Sequence, residues 1–465
     1  MFNTGGLEAQ ETDADNGGVL RLLALYLEND TELQNLALKV RQAEIGRDRT
    51  GIEKGVDLTL SSGTMRLYSV DGSAAFSVEP SADVSFPGFN STSLSVSVPM
   101  TLGSGNAGQG VALEDTQVLL STAIITSDGK QRKVDLLKAD RALTEARRAL
   151  SNRGLSAEQQ FYETLNSLYE NIIQALTSEE EAYTKEIELA LAQLQGYSPS
   201  SVYYRTKQLE AAEAYRTAQE QRRTLEHKTA AFARDCGLAV LPALPEAIPA
   251  VNLDELPEFG RDDEKPRFAE IEKALWNSHI GGLTRDAQGT VKLSAEGGVT
   301  ANNSSLDSRT SADAGLTLGW KGVSLSALSQ IPLSGAEKNP AFSLSLKFNV
   351  NEQRKAALTN TEKRLQAELE ALEIKAAERT WEETVDLMRS ERADLLWEKK
   401  RLEEQYELYR ELAEDTTVWY ERGVVSESEY RKALANKERA YYRILSVGVK
   451  SRIHLIKSTL YFVEQ

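Results

Sequence analysis

The stretch from about Glu352 to Ala440 sets the terms for everything else in the chain. Ile374, Trp381, Met388, Leu395, Leu402 and Tyr409 recur every seventh residue, with charged residues such as Glu398, Lys399, Lys400 and Arg401 between them. A sustained seven-residue apolar repeat with charged flanks specifies a long helix that offers a seam to neighbouring helices. The spacing predicts that this helix ends near Arg422-Gly423. Gly423 accepts the left-handed backbone that closes a helix, and Ser426 is placed to cap the next one. At 1.5 Å per residue, about 70 residues make a rod of roughly 100 Å. No compact domain needs such a helix, so the function must account for a rod.

Charge narrows the partners. Lys+Arg number 54 against 70 Asp+Glu, a net charge of −16. That balance argues against nucleic acid as the main partner, because phosphate binding needs a cationic face. Cys236 is the single cysteine, so no disulfide forms within the chain. The opening Met1–Gly6 has neither a basic nor an apolar targeting region, so either the protein is not exported or a start methionine replaces its natural signal. No run approaches the ~18 apolar residues of a transmembrane helix. If this chain crosses a membrane, it does so with strands.

Residues 1–50 read as an N-terminal helix, with Leu20, Leu23, Leu27, Leu33, Leu36 and Val40 at helical spacing and a break with a new cap at Asn29-Asp30-Thr31. Residues 51–130 change to period two, as in Val56-Asp-Leu-Thr-Leu and Ser93-Leu-Ser-Val-Ser-Val, with turn signals at Asp71-Gly72, Pro87-Gly88 and Gly103–Gly110. Four strands of about 10–15 residues fit there; a membrane barrel and a soluble sandwich both alternate in this way. A long helical hairpin occupies 131–236, broken at Gly196-Tyr197-Ser198-Pro199. Residues 237–266 carry five prolines and read as a linker. A short helix at 267–285 and alternating strands over 286–351 lead into a second long hairpin at 352–465.

The two halves match. Leu33, Leu36, Val40 and Ile45-Gly46 align with Phe268, Ile271, Leu275 and Ile280-Gly281. Val56-Asp-Leu-Thr, with Gly63, aligns with Val291-Lys-Leu-Ser, with Gly298. Gly196, Ser201 and Tyr203 align with Gly423, Ser428 and Tyr430 at equal spacing. Each half is therefore helix, strands, long helix, turn, shorter helix, a duplication rather than a solenoid.

This order of elements, with Leu23-Ala24-Leu25-Tyr-Leu-Glu-Asn29-Asp-Thr-Glu32-Leu33 at its start, resembles the TolC-like outer membrane efflux proteins over nearly the whole chain. Asp30-Thr31 stand where that family often has Pro. The resemblance implies an α+β membrane protein built from two tandem repeats. It implies a homotrimer whose strands share one transmembrane β-barrel in outer membrane lipid, continued by a long α-helical, coiled-coil barrel in the periplasm. The family uses four membrane strands per protomer, giving twelve, whereas up to eight alternating segments are present here. The extra pairs, roughly 74–103 and 310–333, are expected to be extracellular hairpins in preference to further membrane strands.

The resemblance also implies site residues. Gly196, Ser201, Gly423 and Ser428 fall at the two periplasmic tip turns, where a periplasmic adaptor docks. Glu429 stands where the family has a gate carboxylate, Lys432 where it has a second, and Tyr420 matches a latch tyrosine; at the first turn Val202 replaces a carboxylate. For Glu429 a solvated helix-face carboxylate is the plainer reading. Tyr68, Phe86, Phe89 and Trp320 lie among the strands as candidates for a membrane-interface girdle, packing being the commoner explanation for each. His227, His279 and His454 lack metal-ligand spacing, and no phosphate loop or nucleophile elbow is present. No catalytic residue, cofactor or metal is therefore expected. The expected function is a passive outer membrane exit duct working with a periplasmic adaptor and an inner membrane pump. The rival is a soluble periplasmic coiled-coil adaptor or scaffold with β-domain inserts.

Overall fold

The computed structural model describes residues 17–463 except 64, 71–72, 87–90, 106–107, 114–115, 126–127, 242–243, 250, 254–258, 289–290, 305–306, 321–322 and 335–338. Helices α1 (Gly17–Glu28) and α2 (Thr31–Glu53) precede eight strands: β1 (Asp57–Ser61), β2 (Met65–Val70), β3 (Ser73–Val78), β4 (Ser81–Phe86), β5 (Thr92–Ser97), β6 (Met100–Gly105), β7 (Gly108–Leu113) and β8 (Thr116–Ile125). The first long hairpin follows as α3 (Asp128–Leu194) and α4 (Val202–Asp235). After a 3-10 turn at Lys265–Arg267, α5 (Ala269–Ala287) leads to β9 (Val291–Ser304), β10 (Asp307–Trp320), β11 (Val323–Ser334) and β12 (Ala341–Phe348). The second long hairpin is α6 (Val350–Glu421) and α7 (Glu427–Leu460). The elements fall into two compact units, one of Met1–Leu38, Arg148–Ala269 and Glu378–Gln465, the other of Lys39–Arg147 and Glu270–Ala377.

The first unit is helical. Asp30 separates α1 from α2: its Oδ1 accepts the N–H groups of Glu32 and Leu33 at 2.8 and 3.2 Å, and its Oδ2 accepts Arg153 Nη2 at 2.7 Å. Phe161 sits at the centre of the core, fully buried, with the rings of Tyr26, Tyr162 and Phe232 5.3–5.6 Å away. Val19, Leu165, Leu168, Tyr169, Leu445 and Val449 extend this cluster across α1, α3 and α7. The seven-residue repeat points where its period requires: Trp381, Met388 and Leu402 are buried and Leu395 and Tyr409 half-buried. The proline-rich stretch read as a linker is itself packed. Leu238, Leu241, Leu244 and Ile248 lie against the core, and Leu253 is buried. Its carbonyls are used too: Tyr169 Oη donates to Pro245 O at 2.7 Å and Tyr441 Oη to Glu246 O at 2.6 Å. Pro245, buried there, has no N–H that burial could leave unpaired.

His454, on α7, is buried, and burial holds its imidazole below the ordinary value, while Glu391 Oε2 at 3.5 Å pulls the other way. The unfolded chain therefore takes up a proton near pH 6.5 that the folded chain refuses. Stability is complete above that pH and falls as the pH drops below it. Melting at pH 7.5 and 5.5 is expected to show a larger acid-side loss for the wild type than for His454→Gln; equal losses would remove His454 as the cause.

The second unit holds the strands. Eight form one antiparallel sheet in the order β1-β4-β5-β8-β9-β10-β11-β12, and the other four form a smaller sheet, β2-β3-β6-β7. The alternating segments of the first half are each divided between the two sheets: β1 with β2, β3 with β4, β5 with β6, β7 with β8. Pro80 and Pro99 mark two of the divisions, where a residue without an N–H interrupts a ladder. The helices of this unit are joined by ion pairs. Arg141 grips Glu272, with Nη2 to Oε2 at 2.8 Å, and lies 5.1 Å over the Trp276 ring. Arg285 grips Glu370, with Nη2 to Oε2 at 2.7 Å.

The structure differs from expectation over the extra segments. Residues 310–333 are not a separate hairpin. Strands β10 and β11 pair with each other from Thr310↔Ser334 to Trp320↔Val323, and with β9 and β12 on their outer sides. Residues 74–103 are shared between the two sheets. Unbroken alternation gives each strand a usable partner on both sides, so nothing expels the pair from the sheet.

Candidate membrane face and helix-tip turns

Paired residues in a sheet share a face, so the register sorts every side chain. One row runs Leu60, Ala82, Val96, Val118, Val299, Ala312, Ile331 from β1 to β11. On the same face, nearer the helices, Leu293, Leu318, Leu325 and Leu346 form another row. Many of these are open to the surroundings: Leu60 is 73% exposed, Leu316 51%, Leu344 75% and Leu346 71%.

The opposite face runs Thr59, Asp83, Ser95, Leu119, Gly298, Asp313, Gln330 in one row and Asp57, Ser85, Ser93, Ser121, Glu296, Gly315, Leu328, Ser343 in the next. Lys292 and Lys347 share this face at the helix-proximal end, in the row with Gly319 and Ser324. Hydroxyls pair across it, Ser93 Oγ with Ser121 Oγ at 2.7 Å, and Thr300 Oγ1 donates to Asp313 Oδ2 at 3.1 Å. Among the described residues of this sheet, each charged side chain falls on this polar face, which only Leu119 and Leu328 interrupt with large apolar groups. One sheet thus carries a charge-free apolar face and a polar face that holds its ions.

The aromatic candidates divide. Phe86 and Trp320 both lie on the apolar face at the helix-proximal end, 37% and 54% exposed. Phe348, not among the aromatic candidates, joins them opposite Val323 and is 59% exposed. Period two and its place at the end of β12 were the available signal. Tyr68 lies in β2 of the smaller sheet, and Phe89 lies outside the described residues.

Both helical hairpins end in the same helix stop. Gly196 and Gly423 have φ of +77° and +73°. Gly196 N donates to Gln193 O and Tyr197 N to Ala192 O; Gly423 N donates to Tyr420 O and Val424 N to Trp419 O. This paired pattern satisfies the last carbonyls of a helix and needs a left-handed residue, which glycine supplies without strain. The next helix begins differently in each half. Ser201 caps α4, its Oγ accepting Tyr204 N at 3.2 Å. The residue at equal spacing in the second half, Ser428, is not a cap but lies in the first turn of α7. Ser426 is the cap there: its Oγ accepts Glu429 N at 3.2 Å, and Glu429 Oε2 accepts Ser426 N and Ser426 Oγ, each at 2.9 Å. The second turn is two residues shorter, so equal spacing misaligned the caps.

That capping box places the Glu429 carboxylate at the start of α7 and, through the Ser426 N–H and hydroxyl, holds it below the usual carboxylate range. The Tyr420 ring stacks on Tyr430 at 4.6 Å and 2°. Lys432 is exposed, and its neighbour Arg431 lies 4.5 Å over the Tyr183 ring of α3. In the first hairpin Lys185 and Lys207 are interleaved with Glu188 and Glu210 at 2.7–3.2 Å, tying α3 to α4 near their turn. Their three-residue spacings on facing helices were the sequence signal. Around the turns Leu194, Val202 and Val424 are 83%, 82% and 71% exposed. Ser426→Ala is expected to cost about 0.5–2 kcal/mol at the start of α7, read as faster amide exchange in that turn. Ser428→Ala should leave exchange there unchanged; the reverse order would overturn Ser426 as the cap. Cys236 is buried, and burial pushes its thiol up to about 11, which leaves it inert. Among the described residues no group of His, Cys, Asp and Glu is arranged to hold a metal ion, and no helix is long and apolar enough to cross a membrane.

Residues 22–254 match the family model described as the TP096X N-terminal domain, and residues 263–465 match the one described as the TP096X C-terminal domain. No curated protein matches the chain by sequence. Among solved structures, the outer membrane protein VceC of Vibrio cholerae is similar with a TM-score of 0.50 at 12% identity, over 96% of this chain and 97% of that one. A membrane protein from Pseudomonas aeruginosa has a TM-score of 0.48 at 13% identity, over 99% and 96% of the two chains. The CmeC outer membrane channel of Campylobacter jejuni has a TM-score of 0.48 at 11% identity, over 99% and 90%. The likeness to VceC is one of fold, and it is the TolC-like fold that the order of elements led us to expect.

Proposed function

This chain belongs to the TP096X family in both of its halves, and from that footing and its TolC-like fold we propose that it is a passive outer membrane exit duct, not an enzyme. The observation that carries the reading is the eight-stranded sheet, whose exposed apolar face bears no charge among the described residues while its ions gather on the other face. A sandwich in water buries its apolar face against a second layer; a barrel in lipid turns it outward and keeps ions toward the lumen. VceC, which shares the fold, is described as an outer membrane protein.

In this reading three copies share one barrel, since open sheet edges are not tolerated in hydrocarbon. Their long helices form a periplasmic tunnel, with seams supplied by the seven-residue repeat. The turns at Gly196 and Gly423, with Ser201 and Ser428 beside them, form the end that meets a periplasmic adaptor and, through it, an inner membrane pump. Exposed Leu194, Val202 and Val424 suit such a contact. Glu429 forms a ring of carboxylates at the narrow end, kept ionised by its capping box, with Tyr420 and Lys432 beside it. A ring of like charges at an aqueous constriction selects for cations. Phe86 and Trp320 belong to an interfacial aromatic girdle.

The test is single-channel recording of the detergent-purified protein in a planar bilayer, with Glu429→Gln alongside. Discrete steps, with cation selectivity weakened in the variant, are the expected result. Steps unchanged by the substitution would keep the duct and discard the gate. A protein that stays soluble without detergent and never conducts would move the reading to a periplasmic scaffold.

A further inference from the structure

We infer that all eight strands of the larger sheet stand in the membrane wall, and that β12 of one copy pairs with β1 of the next, so that three copies close a barrel of twenty-four strands. The inference rests on the duct reading and departs from it in strand number: the resemblance alone implied four membrane strands per copy, twelve in all.

Continuity of the apolar face carries the argument. The row from Leu60 to Ile331 passes through seven neighbouring strands without a charged residue, and Leu344 and Leu346 continue that face on β12. Placing only four strands in lipid leaves the same apolar face on the other four in water. There Leu316, Leu318, Leu325, Leu344 and Leu346, between 38% and 75% exposed, would stand open to water. Strand length agrees in the second half, where β9 and β10 have 14 residues each and β11 has 12. In the first half β1, β4 and β5 have only five or six, and each lies next in sequence to a strand of the smaller sheet that extends its segment. At about 3.3 Å per residue and a tilt near 45°, fourteen residues rise roughly 30 Å, enough for the ~25 Å apolar band.

The edges supply the join. β1 and β12 are the two ends of the sheet, and their residues are exposed throughout. β1 leaves α2 and runs away from the helices; β12 runs back toward α6. Set side by side in neighbouring copies they are antiparallel, like every other pair in the sheet. A second copy is therefore the occupant whose backbone completes both edges at once, as hydrocarbon requires. Barrel diameter grows about linearly with strand number, so this mouth is about twice as wide as a twelve-stranded one. Size selection then falls to the helical tunnel, and the mouth exerts none of its own.

The test counts strands and joins edges. Electron cryomicroscopy of the detergent-purified wild type is expected to show twenty-four strands around one lumen; twelve strands, or three separate eight-stranded barrels, overturn the inference. In parallel, Thr59→Cys is combined with Ser343→Cys or Ser345→Cys in a Cys236→Ala background and oxidised. Covalent two- and three-copy species are expected for at least one pair. Cross-links confined to one copy mean that each sheet closes on itself and overturn the inference. No cross-link in a trimer that still conducts overturns it too, while leaving the duct reading intact. A chain that neither trimerises nor conducts removes the duct reading, and the inference falls with it.

Discussion

Leu316→Arg is expected to abolish stable assembly in the membrane, while Thr317→Arg, one residue along the same strand, leaves it nearly intact. Leu316 lies opposite Ala295 and Ala327 on the apolar face and is 51% exposed. Thr317 lies opposite Ser294 and Ser326 on the face that holds the charges. An arginine on the lipid face of a barrel costs about 2–4 kcal/mol near the bilayer midplane. That is roughly 30- to 1,000-fold per copy, incurred three times in a trimeric ring. On the lumen side the same arginine stays hydrated. The measurement is the fraction of each variant recovered as a folded oligomer after insertion into liposomes. Equal recovery of both variants would show that the charge-free face does not meet lipid.

Phe161→Ala is expected to cost about 3–5 kcal/mol in the helical unit. Phe161 is fully buried on α3, and its ring neighbours Tyr26 and Phe232 come from α1 and α4. A cavity between three helices does not collapse when one side chain shrinks, because each neighbour is held by its own helix. For a unit of this size the loss corresponds to roughly 6–20 °C in melting temperature. Helical circular dichroism through the melt reads it directly. A drop of less than about 2 °C, outside the range that magnitude allows, would mean that Phe161 is not central to the core.

Much of the fold was legible because its periods are local. Trp381, Met388 and Leu402 announced their seam at every second turn, and the helix that carries them is buried where they fall. Gly423 marked its own helix end, because a left-handed residue after an apolar repeat has few other uses. The tip sites were less legible. Ser426 was legible as the cap of the second helix and serves as one, but equal spacing from the glycines matched Ser201 to Ser428, because the second turn re-enters helical geometry two residues sooner. The packing of Leu238, Leu241 and Leu244 was hidden in the same way, since proline-rich composition resembles a loop whether or not a core receives it.

Residue spacing alone settles the elements: period-two strands, seven-residue helices, glycine stops and the duplication that orders them. Each is a property of residues a few positions apart, where backbone sterics and side-chain spacing act directly. Which strands become neighbours is settled in three dimensions by the fold. It set β8 beside β9, strands separated by more than 160 residues of chain, and so merged the two halves into one sheet with one uncharged face. Hydrogen bonds between distant strands depend on where the chain returns, and alternation alone is equally satisfied by a hairpin left outside the wall or a strand built into it.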